Sequence, residues 1–179
     1  MASLRKASSY SKKKARPFTR LSKNKKKAFI KVSPHNKIVK YNMGNQADYD
    51  KGKHKFVLRL ISENKVQIRD SALESCRMLL NKLLDKDLPG QFYFKINIFP
   101  HHILRENKTA AGAGADRLSS GMKHSFGVII GRAAMVKPGQ DVLLVSCTNE
   151  KAAQIVKKTL SMVKAKLPCK SKIVFEKRE

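Results

Sequence analysis

One stretch of this chain, His101 to Gly127 (HHILRENKTAAGAGADRLSSGMKHSFG), keeps neither a helical nor a strand period. It follows an apolar run, Phe92 to Phe99, that Pro100 closes. It opens with His101 and His102 and passes through Arg105 and Lys108. Thr109 to Ala115 then offers only small residues, with Gly112 and Gly114 free to take positive φ. So long a segment without periodicity is expected to be a functional loop, centred on residues 101–121, and not a core element. The core must come from the residues on either side, which hold the loop against a partner.

Those flanks read as alternating strands and helices. Ile38 to Tyr41 is a short apolar piece, and Gly44, Asn45, Asp48 and Gly52 mark a loop. Phe56 to Ile61 reads as a two-sided strand, and Asn64-Lys65 turns the chain into a second over Val66 to Ile68. Ser71 and Glu74 have the spacing of a capping box. Leu73, Cys76, Leu80 and Leu83/Leu84 recur at three and four, which predicts an amphipathic helix over 70–85. Leu88-Pro89-Gly90 ends it. Phe92, Phe94, Ile96 and Ile98 share one face of the next strand. Beyond the loop, Val128 to Val136 reads as a strand broken by Gly131. A Lys137-Pro138-Gly139-Gln140 turn should pair it with Val142 to Val145 as a hairpin. A second helix is expected over 149–166, with Lys151, Lys157, Lys158, Lys164 and Lys166 facing outward, and a last strand over Lys172 to Phe175. Two helices over one mixed or antiparallel sheet make an α+β two-layer sandwich. The expected organisation is a basic arm, 1–36, followed by a single domain, 37–179, that carries the loop.

Charge narrows the partner. The formal net charge is +26 and the pI near 10.3, a self-repulsion tolerated when a polyanion neutralises it. Residues 1–40 hold fourteen Lys or Arg and no Asp or Glu. Their few apolar residues keep no period, so alone in water the arm is expected to be unfolded. Against phosphates it can order, each cation displacing a condensed counterion. Lys12, Lys13, Lys14, Arg16, Arg20, Lys25, Lys26 and Lys27 are its candidate RNA contacts. A 41% apolar content permits a folded core, so the chain is more than a basic tail. No segment approaches the roughly 18 apolar residues of a membrane span, and the start has no apolar region of a secretory signal. Cys76, Cys147 and Cys169 are far apart and form no C-x-x-C pair, which argues for a reducing compartment.

The central stretch is poor in catalytic patterns. His101 and His102 are adjacent and on an extended segment would point opposite ways, so no metal site is expected. Either ring would stack on or hydrogen-bond a nucleotide, or simply pack. Gly112-Ala113-Gly114 is followed by Ala115-Asp116-Arg117, without the Lys-Ser/Thr pair of a phosphate-binding loop. Glu106 and Asp116 each have a nearby cation and read as ion-pair partners. Ser119, Ser120, His124 and Ser125 lack a nucleophile elbow. No cofactor is expected, nor enzymatic activity. The readings left are an RNA-binding structural protein, an RNA-modifying enzyme, or another nucleic-acid-binding protein. The long core and special loop argue against nonspecific packaging of DNA.

Several motifs are familiar. Pro100 to Lys108, Gly112 to Leu118, Gly121-Met122-Lys123, Phe126-Gly127 and Gly131-Arg132-Ala133-Ala134 resemble the large-subunit ribosomal protein family called L-sixteen in bacteria and L-ten-e in archaea and eukaryotes. Gln67-Ile68-Arg69 with Ala72-Leu73-Glu74 is similar to that family's entry into its first helix. Tyr41 to Asn45 and Leu167 to Lys170 resemble the archaeal form in particular. The resemblance spans about residues 37–175. It implies an α/β-hammerhead fold and a structural role in the cytoplasmic ribosome. The implied partners are large-subunit rRNA, tRNA and neighbouring large-subunit proteins, with no membrane. By the same resemblance, residues 101–121 lie between rRNA helices and help position tRNA near the peptidyl-transferase region. The residues expected to meet RNA there are His101, His102, Arg105, Lys108, Gly112, Gly114, Arg117, Lys123 and Arg132.

Overall fold

The computed structural model describes residues 8–11, 16–19, 24, 30, 32–107 and 127–178. In chain order the elements are α1 (Ser8–Ser11), β1 (Asn42–Gly44), α2 (Gln46–Asp50), β2 (Phe56–Ser62), β3 (Val66–Arg69), α3 (Asp70–Asp87) and β4 (Phe92–Ile96). There follow β5 (His102–Glu106), β6 (Val128–Val136), β7 (Asp141–Cys147), α4 (Glu150–Lys164) and β8 (Ser171–Lys177). The class is α+β, as the alternation of strands and helices predicts. The number of sheets differs: among the described residues there are two, both antiparallel, ordered β1-β4-β7-β2-β8 and β3-β6-β5.

The difference arises at the Lys137–Gln140 turn. It does not fold β7 back on β6. It passes the chain from the three-stranded sheet to the five-stranded one, so the expected hairpin does not form. The turn is pinned from outside: Gly139 N–H donates to Ser62 O at 2.7 Å, and Ser62 N–H donates to Gln140 O at 3.1 Å. β7 then pairs with β2 and β4, whose mostly apolar, largely buried residues flank it on both sides. Spacing within 128–145 could not reveal this, because the partners of β7 lie outside that stretch.

α4 lies on β2, β7 and β8. α3 packs on α4 and against β3 and β6. One core results, joining Leu58, Leu60, Phe94, Leu143 and Val145 of the large sheet, Ile68 and Ala134 of the small one, and Leu73, Leu80, Val156 and Leu160 of the helices. The helical periods predicted these faces correctly. Lys151, Lys157, Lys158 and Lys166 are exposed, as expected of the outward face.

Three local expectations change. Ser71 and Glu74 form no capping box. The chain entering at 37–39 lies beside the first turn of α3 and presents backbone donors to it. Lys37 N–H reaches Asp70 Oδ2 at 3.2 Å and Val39 N–H reaches Glu74 Oε2 at 3.3 Å, while Arg77 donates twice to Glu74. That pairing holds the Glu74 carboxyl below its usual range. Residues 44–52 are more than a loop. Asn45 accepts from Asp48 N–H at 3.1 Å and caps the short helix α2. β6 runs unbroken through Gly131, with a register shift opposite Leu104 and Arg105.

Two sites set the tolerance of this body to change. Gly44 has φ +84°, and a Cβ there would meet Phe92 O at 2.3 Å. Asn45 N–H donates to that same carbonyl at 2.8 Å, so the oxygen cannot retreat. Gly44→Ala is expected to destabilise the fold by about 2–4 kcal/mol, from positive φ plus the clash; urea unfolding within 0.5 kcal/mol of the parent (about the scatter of neutral substitutions) would contradict this close approach. His54 is buried with Nδ1 2.8 Å from Ser146 Oγ, and burial lowers its pKa from the ordinary 6.5. The unfolded chain therefore takes up a proton that the folded chain refuses. His54's contribution to stability is present above the ordinary pKa and lost as pH falls through it. Stability should decline as pH falls below the ordinary 6.5 toward the lowered folded-state value, and His54→Gln should flatten that part of the profile.

Candidate nucleic-acid interface

The three-stranded sheet has two apolar faces, because β6 carries apolar residues on both, Ala134 and Val136 on one and Ala133 on the other. One face, with Ile68, Ala134 and Val136, belongs to the main core. The other, with Leu104 and Ala133, is covered by the basic arm through the buried side chain of Tyr10. Tyr10 also donates to the Glu106 carboxylate, and the Arg69 guanidinium lies 5.2 Å from the centre of its ring.

Further along, the arm lies at the edge of β5. Ile103 N–H donates to Phe18 O at 3.1 Å, and Phe18 N–H donates to His102 Nδ1 at 2.8 Å. Accepting at Nδ1 leaves the proton of a neutral ring on Nε2. Arg105 places its guanidinium carbon 3.6 Å from the centre of the Phe18 ring, a stacked cation–π contact. Arg132 donates from Nε to Pro34 O at 2.7 Å and from Nη2 to Ser33 Oγ at 2.5 Å. Tyr10 and Phe18, without period in the sequence, are thus single anchors into a sheet that needs a lid.

This changes the meaning of several predicted site residues. His101 to Gly127 is not loop throughout, since His102–Glu106 is strand β5 with His102, Ile103 and Leu104 buried. The stretch hides a strand because it begins with two histidines, and His102 is inward-facing. His102 and Arg132 grip the arm, and Arg105 stacks on it. Burial lowers the Arg105 pKa, and among the described residues its Nη1 has no hydrogen-bond acceptor. Arg16 is exposed and His101 half-exposed. Lys12, Lys13, Lys14, Arg20, Lys25, Lys26, Lys27, Lys108, Gly112, Gly114, Arg117 and Lys123 lie outside the described residues. Sequence reasoning passed over Tyr10, Phe18 and Arg69; the one available signal was an aromatic residue standing alone among lysines.

The ends of the glycine-rich segment are nonetheless located. Arg105 pairs with Ile129 and Glu106 with Val128, so residues 107 and 127 leave and re-enter the sheet side by side. Both basic segments are therefore attached to one small sheet. Among the described residues, no three His, Cys, Asp or Glu side chains gather to hold a metal. The Cys76 and Cys147 thiols are buried, which pushes their pKa values to about 12 and about 11, far from the reactive range. No described helix is long and apolar enough to cross a membrane.

The chain matches the model of the family described as ribosomal protein L16p/L10e over residues 16–174. The large ribosomal subunit protein uL16 of Archaeoglobus fulgidus is 41% identical over 164 residues, covering 90% of this chain and 87% of that protein. The uL16 of Staphylothermus marinus is 41% identical over 175 residues, covering 97% and 94%. That of Pyrobaculum calidifontis is 38% identical over 173 residues, covering 96% and 93%.

Tyr10 is a test of the anchoring. Burying an aromatic side chain contributes about 2 kcal/mol, so Tyr10→Ala should raise the opening frequency of the arm roughly thirtyfold. Trypsin should cut the arm correspondingly faster while the main melting transition stays in place. Unchanged cleavage would show that Tyr10 does not hold the arm.

Proposed function

Since the chain belongs to the ribosomal protein L16p/L10e family, we propose that it is built into the large subunit by binding large-subunit rRNA and that residues 101–121 help position tRNA near the peptidyl-transferase region. The family is one of structural ribosomal proteins, so the chain is a ribosomal constituent and not an enzyme. Its work is electrostatic and geometric. The arm and the central segment neutralise phosphates, and the two-sheet body sets the distance and direction between them. Recognition then runs through shape and backbone more than through base edges.

The observation that carries this reading is the pairing of β5 with β6 beneath the arm. It ties the ends of a segment bearing Lys108, Gly112, Gly114, Arg117 and Lys123 to the sheet on which Tyr10 and Phe18 dock the arm. Glycines suit a place where protein backbone approaches RNA backbone, and the cations beside them suit phosphates. The surroundings are the cytoplasmic ribosome, with neighbouring large-subunit proteins completing the contacts.

In cells, the chain should sediment with the large subunit through a high-salt wash. Sequenced crosslinks should map the arm to large-subunit rRNA and residues 101–121 to rRNA and tRNA. Crosslinks scattered over messenger RNA would instead favour a non-ribosomal RNA-binding role. Replacing Gly112 and Gly114 by valine should lower tRNA occupancy more than subunit yield. Ribosomes that carry this variant and bind tRNA normally would remove the tRNA role and leave the rRNA role standing.

A further inference from the structure

A cleft of about 700 Å³ opens where the arm, the start of β3, the end of β6 and the Lys137–Gln140 turn meet His101. Its rim carries three exposed cations, Arg16, Lys65 and Lys137. None of the described residues that line it is Asp or Glu, and among the described residues no carboxylate pairs with those three. Pro17, Met135 and Pro138 give it apolar walls. The His101 ring stands at its edge, its Nδ1 3.1 Å from Phe99 O. The turn that forms one side is held by Lys137 N–H on Gln140 Oε1 at 3.0 Å and by Gly139 N–H on Ser62 O. The cleft is thus preformed, and an occupant would not have to order that side.

The combination selects among ligands. A bare phosphate would need donors at close quarters and no apolar wall. An apolar peptide would have no use for three unpaired cations. An unpaired nucleotide fits both features, with a flat face for the wall and phosphates for the rim. The volume lies within the range of about 300–1,000 Å³ typical of pockets for single small molecules, so a duplex cannot enter. From this geometry we infer that the cleft takes one splayed-out, unpaired nucleotide of large-subunit rRNA, its base against the Met135–Pro138 wall and His101, its phosphates on Arg16, Lys65 and Lys137. The identity of the RNA rests on the ribosomal reading above; the nucleotide chemistry rests on the cleft.

At +26 the chain will hold any RNA to some degree, so the test separates shape from charge. Met135→Trp fills the cleft and leaves every cation in place. Binding of the full-length protein is measured by fluorescence anisotropy with a short single-stranded oligouridylate and with an RNA duplex of equal nucleotide count. The oligouridylate should bind the variant about tenfold more weakly, the loss of one stacked base, with duplex binding unchanged. A thiouridine in the same oligonucleotide should crosslink to peptides containing His101 or Met135. Equal loss on both probes, no loss on either, or crosslinks elsewhere would overturn the inference. So would polyglutamate that displaces the oligouridylate and is itself weakened by Met135→Trp, since the cleft would then serve an acidic protein segment. Should Met135→Trp fail to melt cooperatively, Lys65→Ala with Lys137→Ala keeps the walls. This pair should weaken the oligouridylate more than the duplex; equal weakening would equally overturn the inference. Sedimentation separates the two claims. Wild-type chain absent from large subunits would sink the ribosomal reading, whereas wild-type chain present there with unchanged Met135→Trp binding sinks only the nucleotide site.

Discussion

Antiparallel pairing of His102–Glu106 with Val128–Ala133 is the contact on which the remaining arrangement depends. It closes the chain across the residues between 107 and 127, against the entropy of that closure. It gives β6 a second neighbour besides β3 and so creates a three-stranded sheet in place of an unstable ribbon. The sheet in turn has a second apolar face, which the arm covers with Tyr10. Without the β5–β6 pair there would be no edge for Phe18 to meet and no fixed origin for the glycine-rich segment. Arm, sheet and central segment are therefore one device.

The charge of the molecule is organised by the same economy of structure. Several of its acids are engaged within the fold. Asp70 and Glu74 accept backbone N–H groups at the start of α3, Asp48 closes the cap of α2, Asp141 and Glu176 meet Arg59, and Glu106 accepts from Tyr10. Arg59 and Arg77 are paired with them, while Arg105 stacks on Phe18 and Arg132 is hydrogen-bonded to Ser33 and Pro34. What faces outward is mainly lysine, on the α4 face and around the cleft. The planar guanidinium suits fixed internal contacts with two directions, while the ammonium on a long stem suits phosphates whose positions vary.

Helices α3 and α4, the core strands and their inward faces were legible from periodicity, because each must bury one stripe. The motifs shared with the ribosomal family were legible as well, and the family follows from them. Less legible was whatever depended on a partner distant in sequence. That His102 accepts from the arm and that Arg132 donates to Ser33 and Pro34 had no local signal. Tyr10 and Phe18 had no pattern to betray them, since a single anchor has no period.

The sequence by itself determined the class of elements, the core faces, the surplus of positive charge and the stretch that cannot be wholly core. These are local quantities, set by the order of side chains and by their total charge. Only the tertiary structure decided that the described strands form two sheets, that β7 leaves β6 for β2 and β4, and which of the described cations stay exposed. Those outcomes depend on partners distant in sequence. They are settled by which backbone groups find partners, as Gly139 and Ser62 do across the Lys137–Gln140 turn, and no run of adjacent residues contains that information.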